Sequence, residues 1–424
     1  MLFLYRCLTL ILFPGLIILI YFRSINKKED KLRFKEKIFS SSFKATRNTS
    51  KKLIWFHAAS IGEVLSAFPL IEEINSSNKN IEFLITTVTL SSAKLMEKKI
   101  KESTSENISH RFFPLDLEHL VEKFLHVWKP SLICFVESEI WPNFLFKIKK
   151  KKIPLVLINA RITKKTFNRW NLINNFAKKV FNNFDLCIAA SEESKNNLKK
   201  LQVKNLTYIG NLKFAAKNKL EDLNKFNKKI LNSSKVWCAA STHEGEESII
   251  LETHLEIKKK YKNILTIIVP RHISRCSYIK NLSNKFNLNS QILNDKDSIN
   301  VDSEILIINS FGVLPKYFNY CKNIFIGKSF VKKLEHVGGQ NPIEAAKFGC
   351  KIFYGPYVYN FKEVYDFLCT HNISEQVNNE KDLAQKIMKN FDNQNKVSQQ
   401  QINLLNTYGK KILTETIAQL KKFV

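Results

Sequence analysis

The chain opens on an apolar run and then alternates short β-branched runs with helical patterns. Leu8 to Phe22 carries no charge, and Met1 to Tyr5 extends the stretch across Arg6. That is short for a membrane span but sufficient if Arg6 snorkels to the interface. A cleaved signal peptide is the rival reading. No small-residue cleavage site follows; instead Arg23, Lys27, Lys28, Lys31, Arg33, Lys35 and Lys37 do. Positive charge behind an apolar segment holds that side in the cytoplasm. An uncleaved N-terminal membrane anchor is therefore expected over residues 1–25, with a basic connector over 26–52.

Beyond it, strands are predicted at Leu53–His57, Phe83–Val88, Leu132–Val136, Leu155–Asn159, Leu186–Ala190 and Leu206–Ile209. A polar, Lys/Asn-rich stretch from Ala215 to Ser234 has no strand pattern. The alternation resumes at Val236–Ala240, Ile264–Val269, Ile305–Ile308, Asn323–Ile326 and Lys351–Tyr354, and Lys381–Val424 is helical and polar. Two separated series predict an α/β chain with two Rossmann-like domains, residues 53–214 and 235–424, joined by a linker over 215–234. Ligands in such sheets sit beyond the carboxyl ends of the strands, so a cleft faced by both domains is the expected site.

A length of 424 residues suits two domains, and a hydrophobic fraction of 44% excludes wholesale disorder. The charge alters the picture more: 67 Lys+Arg against 38 Asp+Glu give +29. An anionic partner follows, whether nucleic acid, lipid surface or phosphorylated substrate. Part of the excess reflects a Lys-, Asn- and Ile-rich usage throughout. It is dense in one place, with 11 Lys/Arg and 3 Asp/Glu from Arg23 to Lys52, which would grip anionic lipid headgroups. The 8 cysteines form no C-x-x-C pair, and Cys134, Cys187 and Cys238 lie in apolar runs, as reduced core residues do.

Candidate chemistry gathers at the predicted strand ends. In His57–Glu63 (HAASIGE), Gly62 and small residues permit a tight strand-to-helix turn, and Glu63 falls in a first helical turn whose dipole favours its ionised form. Capping and general base catalysis both fit that position. In Glu137–Asn143 (ESEIWPN), strand alternation puts Glu137 and Glu139 on one face; a turn plugged by Trp141 is the structural alternative. Asn159–Ile162 (NARI) and Gly210–Lys213 (GNLK) each deliver a cation, Arg161 or Lys213. Ser241 and Glu244 fit a capping box, or else open a phosphate-receptive helix start. Arg271, in Pro270–Arg271–His272, is placed to hold a phosphate with its planar fork. In Gly338–Glu344 (GGQNPIE), Asn341, Pro342 and Glu344 match N-cap, N1 and N3, while the glycines open the backbone to an anion. No P-loop, no G-x-G-x-x-G with a ribose-binding acid, no H-E-x-x-H and no D-x-D on a strand-end loop stands out, which argues against ATP hydrolysis, NAD chemistry, a zinc protease and a metal-bridged diphosphate.

Taken in order, these blocks resemble the bacterial Kdo (3-deoxy-manno-octulosonic acid) transferases. The resemblance extends through GNLKF from Gly210 and GPYVYNF from Gly355, and runs from the apolar segment almost to the C-terminus. It implies a GT-B fold with an N-terminal acceptor-binding domain and a C-terminal CMP-Kdo-binding domain. It further implies inverting, metal-independent transfer of Kdo from CMP-Kdo to the lipid A precursor lipid IVA, in lipopolysaccharide synthesis on the cytoplasmic face of the inner membrane. No cofactor is implied; the partners are the donor, the lipid acceptor and anionic inner-membrane lipids. Glu63 would be the base, with Glu137 and Lys213 stabilising the transition state. Pro270, Arg271, Phe311, Gly312, Val313, Asn341, Pro342, Ile343 and Glu344 would hold CMP. The chain departs from the family pattern at Phe311–Val313, where Met-Gly-Glu is common, and at Lys328, where a second Gly is usual. It also departs in a longer loop over Val331–Val337, at Gln340 in place of His, and at Ala215 in place of Asp. On the residues alone, a GT-B enzyme using a UDP-sugar, a nucleic-acid-binding protein and a scaffold with a decayed site also stand. A nucleic-acid binder calls for basic and aromatic residues interleaved on one face, and no such stripe stands out, so no nucleic-acid partner is expected. The retained Glu63 argues against the scaffold.

Overall fold

The computed structural model describes the whole chain except Thr46, Thr104, residues 218–221, residues 394–396 and Val424. The chain divides into two compact units, Met1–Ala216 with Tyr408–Val424, and Lys217–Thr407.

The first unit is built on a seven-stranded parallel sheet. Its strands are β1 (Lys52–His57), β2 (Ile81–Thr87), β3 (Ile108–Phe112), β4 (Leu132–Val136), β5 (Leu155–Ala160), β6 (Leu186–Ala189) and β7 (Leu206–Tyr208), in the order β3-β2-β1-β4-β5-β6-β7. From β1 the chain winds outward to β3, then returns to lay β4 beside β1, pairing Phe56 with Cys134. The strand order therefore reverses between β1 and β4, the place where ligands enter doubly wound sheets. Central strands are continuous apolar runs because helices cover both faces. Trp55 is fully buried against Phe124, Phe135 and Phe144, and its indole N–H donates to Thr86 Oγ1 at 2.9 Å.

The second unit repeats the plan with β8 (Lys235–Thr242), β9 (Ile264–Pro270), β10 (Ser290–Leu293), β11 (Ile305–Ile308), β12 (Asn323–Ile326), β13 (Lys351–Tyr354) and β14 (Ser374–Gln376), in the order β10-β11-β9-β8-β12-β13-β14. Its reversal lies between β8 and β12.

Four features depart from the sequence expectation. Residues Tyr408–Val424 belong with the first unit, although the expected second domain ran to residue 424. The helix Gln399–Leu420 packs so closely there that a Cβ on Gly409 would lie 2.0 Å from the Phe214 carbonyl oxygen. The expected linker contains a helix, Lys225–Ser233. A D-x-D does follow a strand: Asp295–Lys296–Asp297 succeeds β10. That strand is at the sheet edge, Asp295 pairs with Lys316, and Asp297 accepts from the backbone and side chain of Asn294. Finally, the apolar segment is one helix, Leu2–Ile25, long and apolar enough to cross a membrane and compatible with an anchor. Its Arg6 does not snorkel; it reaches Glu118 at 3.0 Å and Asn143 at 3.2 Å.

Candidate active site

In the first unit, β1 ends at His57, and the helix Ile61–Ser77 starts four residues later under the cap of Ser60. Ser60 Oγ accepts from the Glu63 N–H at 3.4 Å and donates to Glu63 Oε1 at 2.7 Å, while Glu63 Oε2 accepts from the Ala59 N–H at 2.8 Å. This is a variant of the capping box in which the acid reaches the N–H one residue before the N-cap. The expectation that the helix start favours the ionised form is outweighed. Burial, then the negative charges of Glu137 and Glu139, push the Glu63 carboxyl up to about 7 despite those two donors. Gly62 is not sterically compelled, since an added Cβ would meet only Lys213 Cε at 3.9 Å.

Glu137 follows β4 with a left-handed backbone, φ +58. Strand alternation has therefore ended before it, and a turn brings Glu137 and Glu139 toward Glu63. Lys213 Nζ lies 2.5 Å from Glu137 Oε1, both heads being nearly buried. Asn159, itself at φ +51, donates to the same oxygen at 3.5 Å and accepts from the Leu212 N–H at 2.9 Å. One amide thus ties the end of β5 to the turn that carries Lys213. That turn, Leu212–Ala215, is clamped by the C-terminal helix at Gly409 and by the Phe214–Tyr408 edge contact at 5.1 Å. Glu63, Glu137 and Lys213 are brought together at the β1/β4 reversal.

The sequence reading left two neighbours out of its site. Glu139 Oε2 lies 3.0 Å from His57 Nε2 and accepts from the Trp141 indole at 2.7 Å. Burial raises the Glu139 carboxyl, but these partners outweigh it and the net shift is downward. Trp141 is therefore more than a plug. His57 stacks on Phe113 at 3.7 Å, and its Nδ1 faces Thr86 at 3.0 Å. Its place as the last residue of β1, in a run otherwise apolar, was the available signal.

In the second unit the predicted nucleotide residues close or follow β9 and β11 and lie in the connection from β12 to β13. Pro270 closes β9; Arg271 donates its N–H to Thr242 O at 3.0 Å and leaves its side chain exposed. Phe311 is exposed, Gly312 is left-handed at φ +75, and Val313 is buried. Asn341 Oδ1 accepts from the Ile343 N–H at 3.1 Å ahead of a helix of 5 residues, Ile343–Lys347. The N-cap is thus Pro342, one residue later than the Asn341 of the capping pattern. Burial raises the Glu344 carboxyl, which makes no hydrogen bond or ion pair among the described residues.

Two motif readings are corrected here. Ser241 and Glu244 form no capping box, because Ser241 is left-handed inside β8 and the helix Glu246–Lys260 begins under Gly245. The glycines of GGQNPIE serve close packing: a Cβ on Gly338 would sit 2.1 Å from Tyr357 O, and Gly339 is left-handed at φ +89. The organising residue is one that the sequence reading did not single out. Buried Glu246 accepts backbone N–H groups from His243 (2.9 Å), Lys328 (2.7 Å), Ser329 (2.7 Å) and Phe330 (3.0 Å). It joins the loops on both sides of the β8/β12 reversal, and Gly327 leaves its Oε2 room, since a Cβ there would approach to 2.8 Å. Burial, then neighbouring Lys328 and Arg271, lower His243 in spite of its bond to Ser241 O, so basic side chains gather at this reversal.

Comparison with known proteins agrees with this picture. Residues 32–216 match the family described as 3-deoxy-D-manno-octulosonic-acid transferase (kdotransferase). A 3-deoxy-D-manno-octulosonic acid transferase of Rickettsia prowazekii is 32% identical over 385 residues, 89% of this chain and 81% of its own. The Haemophilus influenzae protein of the same name is 27% identical over 376 residues, 88% and 85% of the two chains. Among solved structures, UDP-GlcNAc 2-epimerase from Neisseria meningitidis bound to UDP-GlcNAc aligns over 87% of this chain and 98% of its own, with a TM-score of 0.59 at 15% identity, a likeness of fold alone. Fold and relatives define the class, a glycosyltransferase of GT-B type. The chain belongs to the 3-deoxy-D-manno-octulosonic acid (Kdo) transferase family.

Proposed function

We propose that the chain transfers Kdo from CMP-Kdo to lipid IVA, with inversion and without a metal ion, from an N-terminal anchor on the cytoplasmic face of the inner membrane. The observation that carries the chemistry is the Glu63 carboxyl, held near neutrality at a sheet reversal beside the Glu137–Lys213 pair. A base works best when its pKa is close to ambient pH. Glu63 takes the proton of the acceptor hydroxyl as that oxygen's lone pair attacks the anomeric carbon of Kdo. The bond from that carbon to the CMP phosphate oxygen breaks, and CMP leaves with the electron pair. Glu137 faces the developing oxocarbenium charge, and Lys213 fixes Glu137 and serves the anionic groups. One base and one in-line displacement give inversion.

In the second unit Pro270, Arg271, Phe311–Val313 and Asn341–Glu344 hold CMP. Arg271 and neighbouring Lys328 suit a phosphate, and the Glu344 carboxyl, which has no hydrogen bond or ion pair among the described residues, suits ribose hydroxyls. The test is to incubate purified protein with CMP-Kdo and tetraacyl lipid A precursor and read product mass. The expected result is a mass gain of Kdo that CMP inhibits, UDP does not, and chelation with EDTA leaves intact. Inhibition by UDP alone would point to a UDP-sugar donor, and loss with EDTA restored by magnesium would sink the metal-independent route.

A further inference from the structure

The N-terminal helix does not stand away from the first unit. Leu2, Tyr5, Thr9, Phe13, Ile17, Ile20 and Ser24, spaced by three or four, are covered or half-covered and form a stripe that runs nearly the whole length of the helix, with Arg6, Cys7 and Leu16 half-covered beside it. At one end Tyr5 donates to Asp116 at 2.8 Å and Arg6 pairs with Glu118. In the middle Phe13 meets His119 edge-on at 5.9 Å. Toward the other end Ile20 packs with Phe34 and Ile38, and Arg23 pairs with buried Glu29, which also holds Lys37 at 2.5 Å. From Tyr5 to Ser24 the helix rises about 28 Å, close to the ~30 Å thickness of a bilayer's hydrocarbon. Were it to span in this docked pose, one of its two charged ends, Asp116 and Glu118 or Glu29 and Lys37, would have to cross to the far side, and the surface packed between them would have to lie in lipid.

The opposite face is bare. Phe3, Leu4, Ile11, Ile18, Leu19 and Phe22 are 54–75% exposed, a continuous apolar surface of the kind that soluble monomers avoid. Lys27, Lys28 and Lys31 stand exposed just past its end, matched in charge to anionic headgroups. We propose that this helix lies flat in the headgroup region of an anionic bilayer as a seat for the first unit, and does not cross the membrane.

The seat is joined to the reactive rim. Asp116 also accepts the N–H groups of Asn143 (3.0 Å) and Phe144 (2.9 Å), and Arg6 holds the Asn143 side chain. Asn143 closes the loop that carries Glu137 and Glu139. Lys37 binds Val88 O, just beyond β2. The carboxyl ends of β2 and β4 are thereby held at headgroup level, where a lipid acceptor presents its sugar. This deepens the membrane reading above and rests on it, but not on the identity of the donor.

The test uses the full chain with Cys7→Ser and Cys369→Ser, bound to vesicles of phosphatidylethanolamine and phosphatidylglycerol. A fluorophore is placed in turn at Leu4→Cys, Ile11→Cys and Phe22→Cys and quenched by lipids brominated at graded acyl depths. Equal, shallow depths at all three positions are expected, about 5–10 Å into the interface. A deep Ile11 between two shallow ends would overturn the proposal in favour of a span. So would a soluble dimer that shields all three labels and ignores vesicles. A second chain with Phe13→Cys and His119→Cys locks the docked helix by a disulfide: continued vesicle binding is expected, and release on oxidation would count against it. Kdo transfer is read separately on the same samples, so an inactive but flat-lying protein would sink the functional reading and leave the seat intact.

Discussion

Two demands meet at Glu63: as the proposed base it would have to be ionised to take a proton, yet it sits where ionisation is penalised. Burial first, and then Glu137 and Glu139, hold its carboxyl near 7. The acid limb of kcat/KM should therefore fall below about pH 7, and Glu137→Gln, by removing one neighbouring charge, should move that limb to lower pH in the residual rate. A pH–rate profile on both proteins decides it. The same shift has a cost in stability. A carboxyl raised in the fold destabilises nothing below its unfolded value near 4.5, and the penalty grows as pH rises to about 7, to about 3 kcal/mol. Denaturant titrations should thus show Glu63→Gln gaining stability relative to wild type between pH 4.5 and 8, while transfer falls by about 10²–10⁴ and CMP binding is kept. Equal loss of CMP binding would make Glu63 structural. This residue was legible because first helical turns after strands are recognisable, but its pKa was not: the neighbours that set it arrive from β4, far along the chain. Glu246 was hidden for the same reason. Its four donors come from His243 and from the loop after β12, and nothing local marks it apart from the acids beside it.

At the scale of elements, β4, β11, β12 and β13 run as their apolar patterns indicated, and other central strands differ by a residue or two. The strands that went unread, β3, β10 and β14, are all sheet edges. An edge strand has one neighbour and is half open to water; β3 alternates buried with half-buried residues and carries His110 and Arg111. Its pattern is thin because its burial is thin. The C-terminal helix was read as a helix, but its destination was not, since contact with Phe214 depends on Gly409 fitting where no side chain can. Gly409→Ala should force the helix off the Lys213 turn. A displacement on the order of 1 Å at a positioned group costs about a hundredfold in rate, so transfer should fall by that much with CMP binding unchanged. Kinetics and nucleotide binding by calorimetry check the split.

For the whole molecule, the docked N-terminal helix makes a prediction that a loose tether does not. Removing residues 1–25 should lower the Tm of the first unit, because Phe34 and Ile38 lose their cover; Ile20 alone is worth about 1.5–3 kcal/mol of burial. Transfer to a detergent-dispersed acceptor should fall too, as Asp116 and Asn143 lose Tyr5 and Arg6. Thermal unfolding of the truncated chain checks the first, and an assay without membranes the second. The first unit also contains both the beginning of the chain and its last seventeen positions, Tyr408–Val424. During translation the turn that bears Lys213 stays unclamped until the ribosome has made the final helix and let it emerge. A prematurely terminated product missing only that helix carries all three proposed side chains, but its Lys213 turn is held by Asn159 without the clamp at Gly409.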